Sequence, residues 1–222
     1  MCVFGRLFTK KQCWVPTWRG WVLVIVVLGA LFLGAIHQVY PFLAPTERVE
    51  AELLIIEGWL PDSSFIDAIQ EYKSHNYQSF VTTGGSVYVG FDLATYKTQA
   101  RLGAAILQKH GIKASEIFEV PAPDVIRDRT YACAVAVRDW LTASNQKFQS
   151  ANLFSLGPHS RRSWLLYQKA LGDDFKVGII AGRDRDYDAT RWWASSSGVR
   201  VVLSELNAYI YARLFFHPDR MK

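Results

Sequence analysis

From Trp21 to Leu43 the chain runs for twenty-three residues without a formal charge. As a helix rising about 1.5 Å per residue, that run measures ~35 Å, enough to cross a hydrocarbon core of ~30 Å. Its flanks set an expected direction. Arg6, Lys10, Lys11 and Arg19 precede it with no acid among them, and Glu47, Arg48, Glu50 and Glu52 follow it. Positive charge is retained on the cytoplasmic side, so residues 1–20 read as a cytoplasmic tail, 21–43 as the transmembrane helix and 45–222 as an extracytoplasmic domain. Trp14, Trp18 and Trp21 would mark the inner boundary and Tyr40 the outer one. A cleaved secretory signal is the competing reading. It fits less well, because the apolar core exceeds the usual ~15 residues and the exit Phe42-Leu43-Ala44 puts a bulky residue where cleavage wants a small one.

Of the net charge of +5, all but one unit belongs to the tail. Beyond residue 20 there are 21 Lys and Arg against 20 Asp and Glu, a net of +1. This gives no support to a nucleic-acid partner, which requires a basic face on the folded domain. The three cysteines are Cys2, Cys13 and Cys133. Two fall on the expected tail, and Cys133 among Ala132, Ala134, Val135 and Ala136 reads as a buried structural thiol.

The remaining 178 residues suit one domain. Apolar runs at 51–56, 79–83, 117–120, 151–155 and 176–180 alternate with helical patterns opening at 61–63 and spanning about 95–111, 129–143 and 160–172. Ser160 is a candidate cap for the last of these. A final helix carries Leu203, Leu206, Ile210 and Leu214 on one face. Strands separated by helices imply βαβ units, so the expected class is α/β: a Rossmann-like three-layer sandwich with a mostly parallel sheet, preceded by one N-terminal transmembrane helix.

In such a sheet ligands bind at the carboxyl ends of the strands. Those ends supply Glu57-Gly58-Trp59, Gly84-Gly85-Ser86, Asp128-Arg129-Thr130 and His159-Ser160-Arg161-Arg162. The last combines a helix N-terminus, a titratable imidazole and two guanidinium groups, a set suited to phosphate or carboxylate. Gly84 and Gly85 either form a turn or offer backbone amides to an anion. Asp128 and Thr130 are either helix caps or ligand contacts. No dinucleotide fingerprint and no P-loop is present. Asp184, Asp186 and Asp188 lack the Gly and the distal Glu of a calcium loop and read as a solvated loop. No metal and no cofactor is expected. Trp192-Trp193 reads as core or interface.

Taken in order, Leu54-Ile55-Ile56-Glu57-Gly58, Val81-Thr82-Thr83-Gly84-Gly85, Arg129-Thr130-Tyr131, His159-Ser160-Arg161-Arg162 and Glu205 resemble the DUF218 family, the YdcF/SanA/ElyC-like proteins, over residues 50 to 216. Glu57 stands where that family has an apolar residue, and Ala132 replaces an acid. The resemblance implies a Rossmann-like domain held outside the bacterial inner membrane by a single-pass anchor, with a part in envelope or peptidoglycan biogenesis. The expected function is therefore a membrane-anchored envelope protein whose outer domain binds a small anionic ligand, such as a lipid-carrier or sugar phosphate. His159 is the candidate acid/base, Glu57 and Asp128 assist, and Gly58, Gly84, Gly85, Arg129, Thr130, Arg161 and Arg162 are the candidate ligand contacts. An enzyme of this kind would be a transferase or hydrolase at a phosphoryl or glycosyl centre. The alternative is a non-catalytic adaptor that meets the bilayer and other envelope proteins.

Overall fold

A computed structural model describes residues 16–87, 94–144 and 148–218. Cys2, Cys13, Trp14 and the basic residues before Pro16 lie outside these. The chain divides into two compact units, one ending at His37 and one beginning at Gln38. Helix α1 (Trp18–Leu43) is long and apolar enough to cross a membrane, with a mean hydropathy of 2.5 over its best stretch and none of that stretch buried. It begins three residues before the expected Trp21. Its last turn is different in kind: Leu43 is fully buried in the second unit.

That second unit is α/β. Its strands are β1 (Leu53–Glu57), β2 (Ser79–Gly84), β3 (Ile117–Pro121), β4 (Ser150–Leu156) and β5 (Lys176–Gly182). They form one sheet in the order β3-β2-β1-β4-β5, and every pairing is parallel. Helices follow the strands in turn: α2 (Asp62–Ser74), α3 (Gln99–Lys109), α4 (Arg129–Ala143), α5 (His159–Leu171) and α6 (Ser196–Leu214). Thr98 caps α3 by accepting from the Arg101 N–H at 3.3 Å, and Ser195 caps α6 by accepting from Gly198 at 3.1 Å.

Side chains alternate across a strand, and the two sets join different helices. Leu54, Ile56, Phe80, Phe154 and Ile180 pack with Phe65 and Ile69 of α2 and Leu107 of α3. Leu53, Ile55, Val81, Leu153 and Ile179 pack with Ala134 and Val137 of α4 and Tyr167 and Ala170 of α5. All five residues of β1 are buried, as a central parallel strand requires. The outer edge of β5 is covered locally, where Glu47 and Ile179 exchange backbone hydrogen bonds of 2.8 and 2.9 Å.

Two sequence expectations change, and a third element takes an unanticipated orientation. Ser160 does not cap α5: the N-cap position is Pro158, which has no side chain able to cap, and the buried Ser160 hydroxyl has no hydrogen-bond partner. Asp184 is not solvated. It is 7% exposed and accepts the Asp186 N–H at 3.0 Å, while Arg183, Arg185 and Asp188 of the same loop are exposed. On α6 the aligned apolar residues face outward: Leu203, Ile210 and Leu214 are 45%, 41% and 60% exposed, and the helix buries Gly198, Val202 and Ala212 instead.

Candidate functional site

The alternation that builds the core also builds a polar floor at the carboxyl ends of the strands. Glu57 and Thr83 are register partners and continue the series that faces α4 and α5. Ser155 does the same on β4. Above them α5 presents His159, Ser163 and Tyr167, spaced i, i+4, i+8 along one helix face. Glu57 is 1% exposed, and hydroxyl groups hold its carboxylate. Ser155 donates to Oε2 at 2.7 Å, and Ser163 donates to Oε1 at 3.3 Å. His159 Nε2 stands 3.9 Å from Oε2. The Glu57 charge has effects of its own. Burial first, and then Glu57, push the Cys133 thiol up to about 12 and the Tyr167 hydroxyl well above its ordinary range.

His159 is oriented from the other side. Its Nδ1 lies 2.9 Å from Glu205 Oε1 on α6. Arg162, one turn along α5, donates Nε to Glu205 Oε2 at 2.9 Å and Nη2 to Oε1 at 3.2 Å. Arg162 Nη2 also lies 3.0 Å from His159 Nδ1. Guanidinium only donates, so Nδ1 cannot serve both neighbours with one proton arrangement. A bond from Nδ1–H to the carboxylate satisfies every charge, whereas an unprotonated Nδ1 would set two acceptors against each other. Nδ1–H donation to Glu205 is therefore the consistent assignment. It leaves Nε2 buried and without a hydrogen-bond partner. Burial raises the Glu205 carboxyl, but the His159 hydrogen bond and charge and then those of Arg162 outweigh it and hold the pKa at about 2. The Trp59 ring meets the His159 ring edge-on, with centroids 5.0 Å apart.

These residues border a cavity of about 640 Å³. It is lined on its polar side by Glu57, Asp128, Arg129, Thr130, His159 and Arg162, with Gly85 at one edge. Trp59, Pro123, Ile126, Leu166, Tyr211 and Phe216 supply an apolar side. The remaining sequence candidates lie elsewhere. Arg161 turns away from the cavity: its guanidinium stacks 4.2 Å above the Phe42 ring and its Nε donates to the Phe42 carbonyl. Gly58 is buried against α3, and an added Cβ would stand 2.1 Å from the Gln99 carbonyl oxygen. A Cβ on Gly84 would stand 2.6 Å from the Gln99 Cβ. Those two glycines serve helix–sheet approach, while Gly85 has only ordinary contacts around its missing Cβ.

Asp128 occupies the N-cap position of α4 without capping it, and its backbone is left-handed (φ 57°). Asp tolerates that region better than most residues, though at some cost, and such conformations gather at functional sites. Its carboxyl borders the cavity instead. The charge balance differs from the cationic crevice expected from the sequence. Three carboxylates, Glu57, Asp128 and Glu205, face two guanidinium groups, Arg129 and Arg162, beside one imidazole. Among the described residues no group of His, Cys, Asp and Glu is placed to hold a metal ion.

Sequence reasoning missed Ser155, Ser163 and the apolar part of the α6 wall of the cavity, and it placed Trp59 at a strand end without a role. Ser163 could have been found from its i+4 spacing to His159. Cys133 is the buried thiol expected, yet it also borders the cavity. No protein-family model and no curated protein matches the chain.

Proposed function

We propose that this chain is a DUF218-like, membrane-anchored envelope protein whose α/β unit binds a small phosphorylated ligand and performs acid–base chemistry on it at His159. The fold within this reading is a Rossmann-like three-layer sandwich. The strand order β3-β2-β1-β4-β5 and the division of the core between α2/α3 and α4/α5 support it. The N-terminus is cytoplasmic and the domain extracytoplasmic, at a bacterial inner membrane. The charge asymmetry about α1 supports that direction.

The observation that carries the functional reading is the bond from His159 Nδ1 to Glu205, which leaves Nε2 unpaired and buried 3.9 Å from Glu57. A carboxylate that fixes one ring nitrogen sets the tautomer and frees the other to accept and return a proton. Glu57 then stabilises the imidazolium as it forms. The ligand's anionic group sits at the opposite end of the cavity, against Arg129, Thr130 and the Gly85 backbone, where the uncapped start of α4 favours negative charge. Arg162, neutralised by Glu205, holds the histidine and not the ligand. The reaction is transfer or hydrolysis at a phosphoryl or glycosyl centre, with water or a ligand hydroxyl giving its proton to Nε2.

Thermal-shift titration of the full-length protein with sugar phosphates and prenyl phosphates tests the binding reading. A ligand held at a hundred times below its working concentration raises stability by about 2.7 kcal/mol. Stabilisation that Arg129→Gln abolishes supports the site. No stabilisation by any phosphorylated compound at millimolar concentration would turn the reading toward the adaptor.

A further inference from the structure

Helix α6 is apolar on two opposite sides. One side, with Val202, Ala208 and Ala212, closes the cavity and the core. The other carries Leu203, Ile210 and Leu214 at i, i+7 and i+11, all exposed, with Tyr211 and Phe215 beside them at 53% and 68%. A helix with a second, exposed apolar stripe presents a surface suited to an apolar medium or partner. Arg200 and Arg213 lie on either flank of this exposed stripe, and both are exposed. The only acid on α6 is Glu205, which is turned inward to His159.

We infer that the exposed face of α6 lies in the headgroup region of the membrane that α1 spans, as an interfacial helix. The inference rests on membrane anchoring as proposed above. Three observations carry it. The part of α1 that falls in the first unit, Trp18 to His37, is twenty residues, about 30 Å of helix, which matches the hydrocarbon core. Phe42 follows His37 by only five residues in the chain, so it lies close in sequence to the end of the expected span. Phe42 packs edge-on against Tyr209 of α6, with centroids 5.4 Å apart, inside the α/β unit. The end of the anchor thus touches the helix whose free face is apolar and flanked by arginines. Those arginines select an anionic leaflet over a neutral one. Because the other side of α6 lines the cavity, and Tyr211 is both exposed and part of its wall, the cavity would open next to the lipid surface.

The test uses the full-length chain in vesicles of phosphatidylcholine and phosphatidylglycerol in equal parts. Cys2 and Cys13 are replaced by Ser, and single spin labels are placed at Leu203→Cys, Ile210→Cys and Leu214→Cys. Leu28→Cys in α1 serves as the lipid reference and Lys109→Cys at the end of α3 as the water reference. The inference expects the three α6 labels to favour oxygen over a nickel chelate, as Leu28→Cys does, and Lys109→Cys to show the reverse. Replacing Arg200 and Arg213 by Gln should lower the ratio of docked to undocked protein by about fivefold each. Labels on α6 that read as water while Leu28→Cys reads as lipid overturn the inference and leave the anchor standing. Dipolar broadening between α6 labels of two chains overturns it in favour of a second copy. If Leu28→Cys also reads as water, the anchoring itself fails.

Discussion

Glu205 reaches from α6 to within 2.9 Å of His159 Nδ1 on α5, so the helix that closes the cavity also fixes the ring at its floor. The same carboxylate receives the Arg162 fork. One acid therefore ties the last helix to the fifth, and its ionisation is a term in folding as well as in chemistry.

That dual role has a pH signature. The Glu205 carboxyl titrates at about 2 in the folded protein against an ordinary 4.5. A folded pKa below the unfolded one gives stability that is complete above the unfolded value and is lost as pH falls toward the folded one. The shift corresponds to roughly 3 kcal/mol, lost between about pH 5 and pH 2. Glu205→Gln should cost a similar amount at pH 7 and flatten the acid limb. Urea unfolding of both proteins at pH 7, 4 and 3 measures this, and parallel acid limbs would remove Glu205 from the account.

The paired glycines make a cleaner contrast. Gly58→Ala would drive a Cβ to 2.1 Å from a backbone oxygen of α3, which cannot move away as a side chain would. A cost of about 3 kcal/mol or more is expected. Gly85→Ala meets nothing nearer than the Asp124 carboxylate at 3.5 Å, an ordinary contact, and should leave melting nearly unchanged. If Gly85 faces the bound anion, its Ala variant weakens ligand stabilisation while keeping the parent melting temperature.

How much of this was legible in the sequence depends on which forces set each feature. The strands follow from apolar runs, a local signal, and the structure bears out the α/β class, whereas their spatial order β3-β2-β1-β4-β5 is set by long-range pairing. The gathering of chemical residues at strand ends was also readable. Orientation was not. Arg161 and Arg162 are adjacent and alike in the sequence, yet helical geometry turns one to Phe42 and the other to Glu205. Gly58 looks like a ligand turn until α3 is placed against it. The stretch from His159 to Arg162 read as a cationic anion site because the carboxylate that pairs with it, Glu205, stands on another helix.

Cys133 offers a probe of the floor. Burial and the nearby Glu57 charge push its thiol up to about 12 from an ordinary 9.0. Only the thiolate reacts, so at pH 8 its alkylation should be roughly a thousandfold slower than that of a free thiol. In a Cys2→Ser, Cys13→Ser background, iodoacetamide labelling followed by mass spectrometry reads this directly. Adding Glu57→Gln should quicken it, since the charge opposing the thiolate is gone. Fast labelling in the folded parent would show that the floor is open to water.

The direction of the chain across the membrane is tested apart from the site. Alkaline phosphatase fused after Lys222 is active only outside the cytoplasm. The charge asymmetry about α1 leads to an active fusion. A well-expressed but inactive fusion reverses the topology and takes an envelope ligand with it.

The last prediction separates a working histidine from a structural one. Alanine variants do not make that separation, because the His159 and Arg162 side chains are 15% and 20% exposed and both are bound to Glu205. Truncating either leaves a part-buried carboxylate short of a partner, at a cost of about 2 kcal/mol. Loss of function in an alanine variant would then be ambiguous. His159→Asn removes the ambiguity. An Asn amide nitrogen lies about where Nδ1 does and can donate to Glu205, while nothing replaces Nε2. The variant should melt close to the parent, within about 1 kcal/mol, and keep ligand-induced stabilisation. It should nevertheless fail to restore a strain lacking the protein, because no group at the floor takes the proton. Arg183→Ala, in the exposed stretch after β5, should change neither melting nor complementation. Full complementation by His159→Asn would show that Nε2 does no chemistry and that the Glu205–His159 pair is there to hold α6.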